Sequence, residues 1–149
     1  MAAQALQSND DLGKLIIRVA VGVLIVFHGL AVLTGDPGIP NRLAAWGLPE
    51  QLKWLGFFAE FFGGLMMIAG AYARVGGFLV GFFMVMAIIM SHIGLMGSQN
   101  HLFMVAQNPG GNHWDHYFLD TQMFYLLGGF SVFFLGAGKY GLNMGGEWN

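Results

Sequence analysis

The sequence predicts an all-α fold: an integral membrane four-helix bundle with the N and C termini on the same side. Of the 149 residues, 56% are hydrophobic and only 9% are charged, whereas soluble domains carry about 25% charged residues. A run of about 18 apolar residues can cross the hydrocarbon core of a bilayer as a helix. We therefore predict a single membrane domain over residues 1–149, with spans at about 14–33, 53–71, 75–96 and 117–135.

The first span follows a polar segment, residues 1–12, that is expected to fray. Because Lys14 precedes an apolar run, a secretory signal peptide is the competing interpretation. The run is longer than the apolar core of a signal peptide, and no A-x-A cleavage pattern follows it. A membrane span is therefore favoured.

The connection between the first two spans, residues 34–53, contains three of the four prolines and predicts a loop. A short interfacial turn is expected around residues 42–46. Trp46 and Trp54 fit the aromatic belt that lies where helices leave a membrane. This connection is therefore predicted to lie at the membrane surface.

The third span carries Gly77 and Gly81 in the G-x-x-x-G spacing that lets two helices approach closely. The polar loop 97–116, which leads to the fourth span, contains no Lys or Arg. Cytoplasmic loops are enriched in these two residues. Basic residues favour the side of the termini: Lys14, Arg74 and Lys139 against Arg42 and Lys53. Both termini are therefore predicted to be cytoplasmic.

Ionisable residues interrupt the apolar spans. They are Arg18, His28, Glu60, His92 and Asp120. At about 1.5 Å per residue, the two histidines and Asp120 lie about 5–7 Å from the outer ends of their spans, and Glu60 about 10–12 Å. Ionisable residues in a membrane are costly and by default face a partner in the bundle. We therefore predict that the two histidines, Glu60 and Asp120 gather in the outer half of the membrane. Arg18 is expected to enter the membrane from the inner end of its span.

Each of these residues also has a structural explanation. Glu60 could be ion-paired, or protonated and hydrogen-bonded, and Arg18 could snorkel to the inner interface or reach toward Glu60. The two span histidines could donate to backbone carbonyls or to the acid, and Asp120 could be a first-turn acid stabilised by the helix dipole. The loop histidines show no metal-ligand spacing and are expected to be ordinary loop residues: His101, His113 and His116.

A desolvated histidine beside a carboxylate can exchange protons near neutral pH. Such a pair suits the two-electron reduction of a quinone, whose isoprenoid tail resides in the bilayer. We predict that Glu60 and His28 handle protons and that Arg18, His92 and Asp120 bind the quinone. A haem is disfavoured because axial histidines stand clear of carboxylates. A metal in an oxygen and nitrogen shell is a further alternative, but neither a metal nor a covalent cofactor is predicted.

Composition also bears on the partners. The chain contains no cysteine, which excludes disulfides, thiolate nucleophiles and cysteine-ligated clusters from it. Its net charge is −2 and it has no basic run, so nucleic acid is not an expected partner. The expected partners are membrane lipid and either other membrane subunits or further copies of the chain.

Several motifs of the chain resemble one family. The first span has R-x-x-x-G at residues 18–22 followed by H-G at 28–29, and A-E-x-x-G-G at 59–64 precedes G-x-x-x-R at 70–74. A histidine stands near the end of the third span, and the closing L-G-A-G-K-Y-G-L is similar to a G-P-G-x-[YW]-S-L ending. Over about residues 15–142 the chain resembles the DoxX family of small four-span membrane proteins.

The resemblance implies a bundle in the inner membrane, with relatives that include the quinone-reducing partner of an archaeal thiosulfate oxidoreductase. It also implies that Asp120 and the loop histidines lie outside the polar signature of the family, and that the loop before the fourth span is longer than usual. The family signature corresponds to Arg18, His28, Glu60 and His92. The rival hypothesis is a non-catalytic accessory subunit that packs onto a larger respiratory or photosynthetic complex. Solute transport is disfavoured because no inverted repeat is found.

Overall fold

The structure, a computed structural model, describes residues 2–35, 38–90, 119–142, 144 and 146–149. Every regular element in these residues is helical, so the predicted all-α class is confirmed for them. The helices are α1 (Ala2–Leu33), α2 (Gly38–Ala45), α3 (Lys53–Phe57), α4 (Gly63–Ala69), α5 (Ala73–Ile88) and α6 (Leu119–Leu135). Short 3-10 helices lie at Glu50–Leu52 and Gly146–Trp148.

Helices α3 and α4 form one continuous segment, because a π-helical turn at Phe58–Phe62 joins them. Together with the 3-10 turn before α3, they make up what we call the composite helix, Glu50–Ala69. It ends at Gly70, which has a φ of +67° and whose N–H donates to the last carbonyls of the helix. Glycine ends a helix in this left-handed conformation without steric cost.

Four long segments pack around one apolar core. The first helix, α1, contacts the composite helix and α6, and α5 contacts the same two. All four segments contribute buried side chains to the core: Val21, Ile25, Met67, Val80, Met84, Tyr125 and Val132.

Glycines set the spacing between α5 and α6. A Cβ added to Gly77 would lie 2.5 Å from the carbonyl oxygen of Gly129, and one added to Gly129 would lie 2.8 Å from the backbone nitrogen of Gly81. Backbone therefore packs on backbone here, which confirms the packing role predicted from the spacing of Gly77 and Gly81.

In the described part of the chain, two helices are long and apolar enough to cross a membrane: Asp10–Leu33 within α1, and the composite helix. Helices α5 and α6 are apolar but shorter over the described residues. Large apolar side chains also cover the outside of the bundle, among them Phe27 (64% exposed), Leu55 (63%) and Phe134 (71%). An outer surface of this kind suits contact with lipid.

Two segments differ from the expectation. The polar segment expected to fray is helical from Ala2, because residues 2–7 are mostly good helix formers. The turn expected around residues 42–46 is the end of α2, an eight-residue helix. Trp46 follows this helix, and its Nε1 donates to the carbonyl oxygen of Met90 at 3.1 Å. The connection is therefore attached to the chain two residues beyond the end of α5.

Candidate functional site

Glu60 lies in the π-helical turn of the composite helix and is only 5% exposed. The two glycines that follow, Gly63 and Gly64, contact α5 and α1 respectively, so helices pack closely on both sides of this turn. A carboxyl group in an apolar interior is costly unless it is hydrogen-bonded or protonated. Single π-helical turns are rare and occur frequently at functional sites. Both observations make Glu60 the starting point of a candidate site.

His28 lies on α1 at the level of this turn. Its neighbour Gly29 packs on the backbone of Phe61, where an added Cβ would lie 2.8 Å from the Phe61 nitrogen. The His28 side chain is exposed at the surface of the bundle rather than placed in the core. Its Nδ1 lies 3.3 Å from the carbonyl oxygen of Leu24. His28 therefore stands at the outer edge of the region that contains Glu60.

Helix α6 contributes Tyr125, a core residue that is 4% exposed. Its hydroxyl lies 3.3 Å from Nδ1 of His28, and the two rings meet edge to face with 5.0 Å between their centroids. Glu60 lies near this pair, because Gly29, next to His28, packs on the backbone of Phe61, next to Glu60. Three helical segments thus bring three polar side chains to one region of an apolar bundle. We call them the His28–Tyr125–Glu60 cluster.

Two buried polar residues on α6 were not predicted from the sequence. Tyr125 is one, and Gln122, on the same face one turn earlier, is also buried, at 8% exposure. A search for ionisable groups in apolar spans passes over both, because an amide carries no charge and a tyrosine is largely aromatic ring. Their spacing of three residues could have indicated them, because it places two polar groups on the same face of a helix.

Arg18 lies apart from the cluster. It is 1% exposed, and its guanidinium donates to the carbonyl oxygens of Met67 at 2.9 Å, Ile68 at 2.6 Å and Tyr140 at 2.6 Å. At about 1.5 Å per residue, the first two carbonyls lie about 10–12 Å beyond Glu60 along the helix. The last carbonyls of a helix lack intrahelical partners and carry partial negative charge. Arg18 therefore caps the end of α4 rather than extending toward Glu60.

The remaining predicted site residues stay predictions. His92 lies outside the described residues, and so does the side chain of Asp120, although its backbone belongs to α6. The loop histidines lie outside them as well: His101, His113 and His116. Among the described residues, no three His, Asp or Glu side chains form a group that could hold a metal ion.

Comparison with known sequences assigns the chain to a family. A family model of DoxX matches residues 13–93, which is more than half of the chain. The chain belongs to the DoxX family. The matched part of this DoxX protein contains Arg18, His28 and Glu60, whereas Tyr125 and Gln122 lie beyond it.

Two curated relatives are similar to this DoxX protein. "Putative oxidoreductase CatD" of Bacillus subtilis (strain 168) is 29% identical over 84 residues, which cover 56% of this chain and 63% of the relative, less than two thirds of its length. "Inner membrane protein YqjF" of Escherichia coli (strain K12) is 25% identical over 96 residues, 64% of this chain and 74% of the relative. No solved structure matches the chain.

The cluster combines three kinds of proton-bearing group. An imidazole presents one donor and one acceptor when neutral, a phenol can donate and accept, and a carboxyl group can take up or release a proton. The imidazole is at the surface of the bundle, while the phenol and the carboxyl group are buried. The arrangement can therefore bind a polar head group at the edge of the bundle and exchange protons with it.

Proposed function

We propose that this DoxX protein is a component of a membrane oxidoreductase system that binds a quinone, or a similar lipid-phase redox molecule, at the His28–Tyr125–Glu60 cluster. One observation carries the proposal: an exposed imidazole at the bundle surface contacts a buried phenol, and a buried carboxyl group lies at the same level of the neighbouring segment. A ligand that arrives through the bilayer meets His28 first.

The surroundings of His28 suit a ligand with an apolar tail. The outer surface near it carries large apolar side chains, including Leu24 (47% exposed) and Phe27 (64%). A head group can accept or donate a hydrogen bond at the imidazole while its isoprenoid tail stays among the lipids. A water-soluble substrate would have to cross this apolar surface, so a lipid-phase molecule is favoured.

Each residue of the cluster has a proposed role. His28 bonds the oxygen of the head group, Tyr125 holds the imidazole, and Glu60 stores or supplies a proton. Interconversion of a quinone and a quinol moves two electrons and two protons. A partner protein supplies or accepts the electrons, and the cluster supplies a path for the protons.

Two further residues are included in the proposal because the sequence predicts them as ligand-binding residues. Asp120 lies on α6, five residues before Tyr125, and His92 follows the described part of the third predicted span. We keep both as proposed ligands of the head group. Arg18 is proposed to hold helix ends together, because its three acceptors are backbone carbonyls.

We also propose that α1, the composite helix, α5 and α6 each span the membrane, with both termini in the cytoplasm. Two of these segments are long and apolar enough to do so over the described residues. The ends of the chain lie close together in the bundle, since Lys139 of the tail forms an ion pair with Asp11 of α1 at 3.7 Å. An even number of spans accounts for this contact.

Quinone content tests the proposal. We would purify the protein in mild detergent from membranes that contain quinone, extract it with organic solvent and measure quinone per chain by chromatography. We expect quinone with the wild type and little with Glu60→Gln, which keeps the size of the side chain but removes its proton exchange. Glu50→Gln is the matched control, because Glu50 is an exposed carboxylate paired with Lys53, and it should retain quinone.

Two outcomes would contradict the proposal. One is a wild-type protein that holds neither quinone nor quinol even after reconstitution into vesicles that contain both. The other is a Glu60→Gln variant that holds as much quinone as Glu50→Gln. If the chain binds no quinone and is recovered only with a larger membrane complex, the accessory-subunit hypothesis is favoured.

A further inference from the structure

The two contacts of His28 constrain its protonation. Among the described residues, its hydrogen-bond contacts both involve Nδ1, which lies 3.3 Å from the Leu24 carbonyl oxygen and 3.3 Å from the Tyr125 hydroxyl. A carbonyl oxygen can only accept. The Leu24 contact is therefore a hydrogen bond only if Nδ1 carries a proton. A proton on Nε2 would instead set the Nδ1 lone pair against the carbonyl lone pairs.

We infer that Leu24 and Tyr125 hold neutral His28 in the tautomer protonated on Nδ1, and that Nε2, the other nitrogen of this exposed side chain, is therefore an acceptor for a hydroxyl group of the ligand. A neutral imidazole has one donor and one acceptor nitrogen, so the position of one proton fixes both roles. The Tyr125 hydroxyl can accept from Nδ1 through an oxygen lone pair and keep its own proton for another acceptor.

This inference rests on the proposed function and narrows its ligand. An acceptor nitrogen can bind a hydroxyl group but has no proton to donate to a carbonyl oxygen. The site therefore takes the reduced, hydroxyl-bearing form of the redox molecule, a quinol or another hydroxylated aromatic ring, in preference to the quinone. Tyr125 is a positioning residue here, because it acts on the ligand through His28.

The tautomer is measured on the protein without ligand. Long-range ¹H–¹⁵N NMR spectra distinguish the two imidazole tautomers, and His28 is identified among the five histidines as the signal lost in His28→Gln. We expect His28 to be protonated on Nδ1 in the wild type. Tyr125→Phe should lower the Nδ1-protonated share, whereas Tyr140→Phe, at an exposed ring, should not.

Two NMR results overturn the inference independently of the ligand. Protonation mainly on Nε2 would show that Tyr125 donates to the imidazole, which reverses the assignment. An unchanged tautomer in Tyr125→Phe would remove the positioning role of Tyr125.

The ligand class is tested with three probes in lipid nanodiscs and oxygen-free buffer: decylubiquinol, its dimethyl ether and decylubiquinone. One hydrogen bond predicts a dissociation constant for the quinol that is about two- to tenfold lower than for the other two. His28→Phe should abolish this preference. Equal binding of the three probes by the wild type overturns the ligand assignment. Binding of none refutes the proposed function and the ligand assignment together, and the NMR spectra alone then decide the tautomer.

Discussion

The guanidinium of Arg18 donates through Nη2 to the carbonyl oxygen of Tyr140 at 2.6 Å, across 122 residues of chain. The same group donates through Nη1 to the carbonyls of Met67 and Ile68 at the end of α4. One buried side chain therefore joins α1, the composite helix and the tail.

Arg74, near the start of α5, does for the end of α6 what Arg18 does for the end of α4. Its guanidinium donates to the carbonyl oxygens of Phe133 and Phe134 and to the backbone oxygen of Asn149. Helix ends present carbonyls without intrahelical partners, and a cation complements their partial negative charge. Two arginines thus cap two helices and attach the tail to both.

Removing Arg18 should destabilise the fold. Arg18→Ala removes the charged donor of three carbonyl oxygens, although the Met67 oxygen keeps the backbone N–H of Gly70 at 3.2 Å. Hydrogen bonds from charged groups contribute about 1.5–3 kcal/mol each. We expect a loss of about 3 kcal/mol in the free energy of unfolding, measured by denaturant unfolding in detergent. Arg18→Lys keeps the charge but offers a single nitrogen, so it should lose about half as much.

Lys53→Ala is the control for this series. Lys53 pairs with Glu50 on the surface, and exposed ion pairs contribute about 0–1 kcal/mol. An Arg18→Ala variant no less stable than Lys53→Ala would contradict a capping role.

The sequence predicted where the helices lie better than it predicted what Arg18 does. Apolar runs and glycine spacing are direct consequences of helix packing, so they can be recognised without coordinates. The acceptors of Arg18 are backbone carbonyls, which every residue has and which leave no sequence signal. From the sequence, Arg18 could equally have met lipid, Glu60 or a helix end.

The candidate site shows the same limit. His28 and Glu60 were predicted because ionisable groups are conspicuous in apolar spans. The π-helical turn at Phe58–Phe62 was not predicted, because no proline and no charge pattern marks it in the sequence. Tyr125 was missed because its hydroxyl becomes informative only when α1 and α6 bring it next to His28. Tertiary packing, not local sequence, assembles this cluster.

Gly70 should not tolerate alanine. Its φ is +67°, and an added Cβ would lie 2.5 Å from Cα of Gly141 and 2.8 Å from Nη1 of Arg18. Left-handed strain costs about 1–2 kcal/mol, and displacing the guanidinium adds to it. We expect Gly70→Ala to lose about 2–4 kcal/mol in the free energy of unfolding. Gly13→Ala, at an open position of α1, should be neutral or gain up to about 1 kcal/mol.

A double variant shows whether Gly70 acts through Arg18. If the added methyl group displaces the guanidinium, Gly70→Ala combined with Arg18→Ala should lose clearly less than the sum of the two single losses. Additive losses would mean that the strain at Gly70 is local.

The contact between α5 and α6 predicts that two glycine-to-alanine substitutions destabilise the fold to different degrees. A Cβ on Gly129 would lie 2.8 Å from the backbone nitrogen of Gly81, whereas a Cβ on Gly81 meets the flexible ring of Phe130 at 3.2 Å. Backbone cannot move aside as a side chain can. Gly129→Ala should therefore lose about 1–3 kcal/mol in the free energy of unfolding, and Gly81→Ala less. The reverse order in thermal unfolding would show that the two helices are not in this close contact.

The absence of native cysteine allows the proposed topology to be measured with single cysteines. Leu48 follows the first proposed span and is 41% exposed, and Met144 follows the fourth and is 68% exposed. With cytoplasmic termini, a membrane-impermeant maleimide should label Leu48→Cys in intact spheroplasts and Met144→Cys only in inverted vesicles. The reverse pattern would overturn the orientation. Labelling of both from one side would overturn the number of spans, because an odd number of crossings must separate residue 48 from residue 144.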